Sequence, residues 1–304
     1  MKKISTIASE YGEAKDLSDQ SRINYEFIAR HFEKEMKISD VNQVTGDSLV
    51  AWREKLKARG TSPNTWNCYL RHIGIILKYA VAKGYIKNPK DYTIHYAPVP
   101  FERPKTLSLD EIRKVVQFLE SEDCPFKPHW LWSLLVRTLF YTGMRRTQIC
   151  GLMWQDIDFE EGIIELRAKY SKTNRSWQIP LPSPVANDLL YLKELTLKQI
   201  GDALDFEDRF VFDVGLFNPR YKTEGKLEPQ TVSNFFKRVG YATDIQISAH
   251  RLRHTMATEL AAQGKYKELQ MLLGHTNVRT TMKYIHPEMS RVKELIDTLS
   301  VTDI

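Results

Sequence analysis

The sequence predicts a mainly α-helical protein with one small β-sheet, an α+β chain built as two domains. Three features predict it. Apolar residues recur at helical spacing over most of the 304 residues. Only two neighbouring stretches, Ile163–Arg167 and Ser176–Leu181, look like strands. One segment, 98–106, carries three prolines and no apolar periodicity, and it separates a domain over 1–97 from a domain over 107–304.

The first domain reads as a helical bundle. Tyr25, Ile28 and Phe32 share a helix face. Thr45-Gly46-Asp47-Ser48 can cap a helix that carries Leu49, Trp52 and Leu56 and stops at Gly60. Ser62-Pro63 opens the longest helix, with serine as N-cap and proline in the first turn. Its stripe is Trp66, Leu70, Ile73, Leu77 and Val81, and Gly84 ends it.

The second domain opens with a capping box, Ser108-Leu109-Asp110-Glu111, and is expected to be helical to about Met153. The two strands flank a polar turn at 168–175, which predicts a hairpin. A helix is expected over Pro184–Gln199, and 200–228 is expected to be loop with one strand at Arg209–Asp213. Helices resume near Gln230 and run to about Leu299, where Val292, Leu295, Ile296 and Leu299 make a short apolar stripe.

No apolar run reaches the length of a membrane span, and Met1-Lys2-Lys3-Ile4-Ser5 has no apolar stretch after it. A cytoplasmic location and no membrane partner are therefore expected. Cys68, Cys124 and Cys150 lack metal-ligand spacing and read as free buried thiols. No metal site and no cofactor is expected. The net charge of +6 is unevenly spread. Residues 1–98 hold 16 Lys and Arg against 11 Asp and Glu, a balance of +5, whereas 99–304 hold 28 against 27, a balance of +1. A basic module joined to a near-neutral one suits a DNA clamp attached to an enzyme. On the long helix Asn64, Asn67, Arg71 and Lys78 lie mostly opposite the apolar stripe. Asn67 and Arg71 are side chains that can read base edges, and Lys78 would touch phosphate, while a solvated helix face is the competing reading.

Breaking a phosphodiester without a metal needs fixed cations around the phosphorus, a nucleophile, and an acid for the leaving oxygen. Arginine suits the cation role because its planar fork pairs with two oxygens and keeps its charge. The last quarter of the chain gathers such groups. His250-Arg251-Leu252-Arg253-His254-Thr255 places His250 and Arg253 on one helix face. Leu272-Leu273-Gly274-His275 follows, and Tyr284 stands nine residues after His275.

This string resembles the signature of the tyrosine recombinase (phage integrase) family. Upstream, Thr142-Gly143-Met144-Arg145 resembles the family's TGxR element, Gly151–Asp158 the segment after it, Lys172-Thr173 the hairpin turn with its mobile lysine, and Ile179–Pro182 the end of that hairpin. The resemblance covers 108–290 and extends more loosely to 1–97. It implies a helical DNA-binding domain ahead of a catalytic domain. The activity implied is a site-specific recombinase or integrase that cuts and rejoins DNA through a 3′-phosphotyrosine, with no metal or ATP. Relaxation of a single duplex, as by a type IB topoisomerase, and DNA binding without catalysis are the alternatives.

Carried over by position, Arg145 and Arg253 would hold the non-bridging oxygens and His275 would donate to the same phosphate. His250 would assist proton transfer around the attack, with Tyr284 its beneficiary. Lys172 would protonate the leaving 5′-oxygen, and Tyr284 would be the nucleophile. Where the family usually has an acid that orients the first arginine, this chain has Gln148, which can accept a hydrogen bond but carries no charge. The partners implied are duplex DNA bearing recombination sites and three further copies of the chain in a tetramer on DNA. Accessory DNA-bending proteins are a further partner the resemblance admits. The C-terminal stripe would dock on a neighbouring subunit.

Overall fold

A computed structural model describes residues 1–87, 95–100, 104–171, 175–201, 205–221 and 225–285. The chain forms two compact units, Met1–Glu102 and Arg103–Ile304.

The first unit is helical: α1 Ile4–Ala14, α2 Asp19–Met36, α3 Gly46–Ala58 and α4 Pro63–Ala82. Local chemistry sets the helix starts. The Thr45 hydroxyl accepts from the Ser48 N–H at 3.1 Å, and the Ser62 hydroxyl accepts from the Thr65 N–H at 3.2 Å with Pro63 beside it. Trp52 is the centre of the core. Phe32 and Trp66 meet it edge-on, with centroids at 4.9 and 5.5 Å, and Tyr69 stacks on it at 5.7 Å. Of the apolar stripe on α4, Trp66, Leu70, Ile73 and Leu77 are buried, but in the last turn the buried face passes to Ala80 and Val81 is 37% exposed.

Asn67 has a structural role that its exposed-face reading did not anticipate. Its amide accepts from the Ala97 N–H at 2.8 Å and donates to the Ala97 carbonyl at 2.9 Å. Both poles are thereby committed to backbone, so the side chain is not free to read a base edge. Arg71 and Lys78 are exposed. Cys68 is half-buried, whereas Cys124 and Cys150 are buried, and all three are free thiols.

The second unit contains α5 Leu109–Glu120, α6 His129–Thr142, α7 Arg146–Cys150, β1 Ile157–Asp158, β2 Ile163–Leu166, β3 Trp177–Pro180 and α8 Ser183–Ile200. It continues with α9 Val214–Phe217, α10 Pro229–Thr243, α11 Ala249–Ala262, α12 Tyr266–Leu273 and α13 Val278–Met282. The Ser108 capping box forms, with the Glu111 N–H donating to the Ser108 hydroxyl at 3.1 Å and the Ser108 N–H to the Glu111 carboxylate at 2.7 Å. The hairpin pairs β2 with β3, with Ile164 opposite Ile179, and β1 adds an antiparallel third strand on the far edge of β2. That third strand has only two residues, too few for a period-two pattern to register. The strand expected at Arg209–Asp213 reduces to one bridge between Phe210 and Met153, and the expected loop around it holds the short helix α9. Residues 286–304, with their apolar stripe, lie outside the described residues, as do Lys172 and 101–103 of the expected linker.

Helix α6 is the spine of this unit, buried at nine of its fourteen positions, so packing rather than an amphipathic face holds it. The Trp132 ring stacks on Phe235 of α10 at 4.2 Å. Because α6 delivers the turn that carries Arg145, this contact anchors the site from below. Trp132→Ala is expected to lower stability by about 3–5 kcal/mol, measured as a fall in the urea midpoint with the slope unchanged.

Candidate active site

Helix α6 ends where Gly143 takes a left-handed conformation, φ +61°, closing the last turn. Two residues later Arg145 stands at the N-terminus of α7. The backbone N–H of Arg145 donates to Gln148 Oε1 at 2.8 Å. The buried Gln148 thus caps α7 through its oxygen. Its Nε2 and the Nη1 of Arg145 are both buried with no hydrogen-bond partner among the described residues. The Arg145 guanidinium instead lies 5.9 Å from the ring of Trp177 on β3, as a cation over an aromatic face.

Arg253 enters from α11, whose N-terminus is capped by the Ser248 hydroxyl accepting from the Arg251 N–H at 3.2 Å. Arg253 is only 4% exposed. Its Nη1 donates to the Gly143 carbonyl, and its Nη2 donates to the Leu273 carbonyl at 3.0 Å and faces His275 Nε2 at 3.3 Å. One side chain therefore joins the end of α6 to the end of α12. A guanidinium N–H can only donate, so His275 Nε2 is the acceptor, which assigns the proton to Nδ1. That Nδ1 meets the buried Thr281 hydroxyl of α13 at 3.0 Å. Gly274, φ +61°, lets this turn form beneath Trp177. A Cβ there would meet the indole at 2.5 Å, and the indole N–H donates to the Leu272 carbonyl at 3.2 Å.

The Tyr284 ring is 5% exposed and packs with Met256, Leu269 and Leu273. Its hydroxyl lies 2.9 Å from His254 Nδ1, and its ring is parallel to that of His275 with centroids 6.3 Å apart. The imidazole that meets the phenol is thus His254 and not His250. His250 packs against the His254 ring, with centroids 3.9 Å apart.

These groups line a cleft of about 970 Å³. Arg145, Arg146, Lys237, Arg253 and Lys283 all reach it, and no Asp or Glu is among the described residues that line it. Burial and shared positive charge leave their mark on the groups nearest Tyr284. The histidines His254 and His275 are pushed down to about 4, first by burial and then by neighbouring cations, and His250 is lowered for the same reasons. Burial brings Arg253 down to about 10 and lowers Arg145. Tyr284 is raised by burial, with the charges of Arg253 and Arg145 acting against it. An uncompensated set of cations around a phenol is a receptor for an anion with several oxygens.

Five of the six residues read from the sequence as catalytic (Arg145, His250, Arg253, His275 and Tyr284) line this one cleft. Lys172 lies outside the described residues. Sequence reading passed over His254, Thr281 and Trp177. His254 had a usable signal, since it stands one helical turn after His250. The other two act through contacts between distant segments.

The Phage integrase family model matches residues 105–291, more than half of the chain. The chain belongs to the phage integrase family. A putative tyrosine recombinase XerC of Pseudomonas syringae is 30% identical over 271 residues, covering 84% of this chain and 55% of that one. The chain thus spans just over half the length of that relative. A tyrosine recombinase XerA of Pyrococcus furiosus is 26% identical over 265 residues, covering 85% and 82%. Among solved structures, a Tn1549 transposon integrase in complex with transposon right end DNA superposes with a TM-score of 0.75 at 18% identity, covering 98% and 99%. A lambda integrase dimer bound to a core site does so with a TM-score of 0.71 at 20% identity, covering 92% and 94%. Integrases therefore share the mainly helical fold with its three-stranded sheet. No described helix is long and apolar enough to cross a membrane.

The lowered histidines fix a dependence of stability on pH. A histidine held near 4 in the fold but near 6.5 when unfolded binds its proton more readily in the unfolded chain, so stability falls as pH drops from about 6.5 toward 4. Ring resonances of His254 and His275 are expected to show neutral imidazoles at pH 6 by NMR. Protonation of either ring at that pH would contradict the assignment.

Proposed function

We propose that the chain is a site-specific DNA recombinase that cleaves and rejoins duplex DNA through a 3′-phosphotyrosine at Tyr284. The observation that carries this reading is the buried phenol of Tyr284 inside a cleft with Arg145, Arg253 and His275, where no Asp or Glu is among the described lining residues. A phosphodiester entering the cleft would give the unpaired Nη1 of Arg145 an anionic partner. Arg145 and Arg253 would then hold the non-bridging oxygens, and their charge would favour the phosphorane. His275 would donate to the same phosphate from Nε2, its proton moving there from Nδ1 while the Thr281 hydroxyl turns to donate to Nδ1 and fixes the ring. His250 assists proton movement around the attack, and Lys172 protonates the departing 5′-oxygen.

The covalent link conserves the phosphodiester, so a 5′-hydroxyl from a second strand can displace the tyrosine without ATP or metal. The basic first domain, residues 1–97, would bind duplex DNA, and Arg71 and Lys78 are exposed on it. A lambda integrase tetramer bound to a Holliday junction has the same fold, at a TM-score of 0.70 and 20% identity, and a homotetramer on DNA is the assembly proposed here. Residues 286–304 would dock on the adjacent subunit. The reaction takes place in the cytoplasm.

The target sequence can be found with the protein itself. A pool of nicked duplexes of random sequence is incubated with it, and SDS-resistant adducts are recovered and sequenced. The wild type is expected to enrich one sequence family, and Tyr284→Phe to yield no adduct. Arg145→Ala and Arg253→Ala should lose about 10²–10³-fold in adduct rate. Adduct formation by Tyr284→Phe would refute the assignment.

A further inference from the structure

Two side chains hydrogen-bond the phenol of Tyr284: Arg253, which can only donate, and His254, which can accept a proton and has no role so far. We propose that His254 is a catalytic residue, the immediate proton acceptor for Tyr284. This rests on the recombinase reading above, and it moves the proton-transfer step from His250 to its neighbour one turn along α11.

The geometry supplies the case. His254 Nδ1 and Tyr284 Oη are 2.9 Å apart, the span of a direct transfer. The phenol could accept or donate in that contact. Its lone pairs are drawn to Arg253 and Arg145, whose charges both act on it, which turns the O–H toward the imidazole. His254 must be neutral to accept, and its surroundings keep it so. It is half-buried on α11, His250 and Arg253 stand beside it on that helix, and Lys283 faces it from the end of α13. Every charged or titratable neighbour named here is basic, apart from the phenol itself. His250 has no described contact with the phenol, and its ring lies 3.9 Å from that of His254, where it can take the proton onward or buffer it.

The step balances in atoms and charge. As Tyr284 Oη forms its bond to phosphorus, its O–H breaks and Nδ1–H forms on His254. The P–O5′ bond breaks, and the 5′-oxygen takes its proton from a separate acid. In rejoining, a 5′-hydroxyl attacks and gives its proton back to the conjugate base of that separate acid, while the His254 imidazolium returns its proton to the departing phenol. A group of low pKa suits this role in the covalent state, because the imidazolium beside two arginines gives up its proton readily.

The test uses a duplex recovered from the random pool, made once with an ordinary scissile phosphate and once with sulfur in place of the 5′-bridging oxygen. Sulfur leaves without a proton, so it cures defects on the leaving-group side only. His254→Gln keeps a hydrogen-bond acceptor but cannot hold the proton. It is expected to form adduct about a hundredfold more slowly on both duplexes, while binding them as the wild type does. His254→Ala leaves a gap that free imidazole should fill, restoring adduct formation as the neutral base is added. Wild-type rates for His254→Gln, rescue of His254→Gln by sulfur, or no recovery of His254→Ala with imidazole would each overturn the proposal. If the wild type forms no adduct with any sequence in the pool, the recombinase reading falls first.

Discussion

Among the described residues, no carboxylate meets the buried guanidinium of Arg253. Its charge is held by two backbone carbonyls, those of Gly143 and Leu273, and by the imidazole of His275. A buried charge held this way stays a charge, because dipoles solvate it without cancelling it. The carbonyls come from the ends of two helices that are far apart in sequence, so one cation fixes the meeting of α6, α11 and α12. Everything in the cleft follows from that meeting: where Arg145 emerges, which nitrogen of His275 holds a proton, and how Tyr284 reaches the centre.

Burial first, and the same field after it, keeps the histidines neutral. Around Arg253 and Arg145, a third and fourth positive charge would repel the first two in a place that water screens poorly. The imidazoles therefore stand as dipoles whose free nitrogens can donate or accept as their partners demand. Gln148 belongs to this balance. An acid at its position would pair with Arg145 and reduce the field. The amide instead caps α7 through its oxygen and leaves the guanidinium uncompensated.

Much of this was legible in the sequence because it is written locally. Capping residues marked the starts of α3, α4 and α5, and the HRLRHT and LLGH strings fixed which residues would gather. What escaped was written in contacts between distant segments. Nothing near Asn67 in sequence reveals that Ala97 will occupy its amide, and nothing near Trp177 reveals the turn at Gly274 that it covers. The two-residue strand β1 is too short to show a period, and Val81 keeps the spacing of its stripe although the three-residue step from Leu77 to Ala80 is the one that stays buried. His254 differs from these. Its place was predictable, but its meeting with Tyr284 depends on a chain reversal through α12 and α13.

In the recombinase proposed above, the burial of the Tyr284 ring among Met256, Leu269 and Leu273 would protect the covalent intermediate. A severed strand joined to a protein side chain is at risk from any stray water that can reach the phosphorus, since hydrolysis would free the tyrosine and leave an end that cannot be resealed by the same chemistry. An oily surround on the ring and cations rather than solvent at its hydroxyl deny water that approach. The broken end is then left for the one nucleophile large and well enough placed to enter, the terminus of another DNA strand.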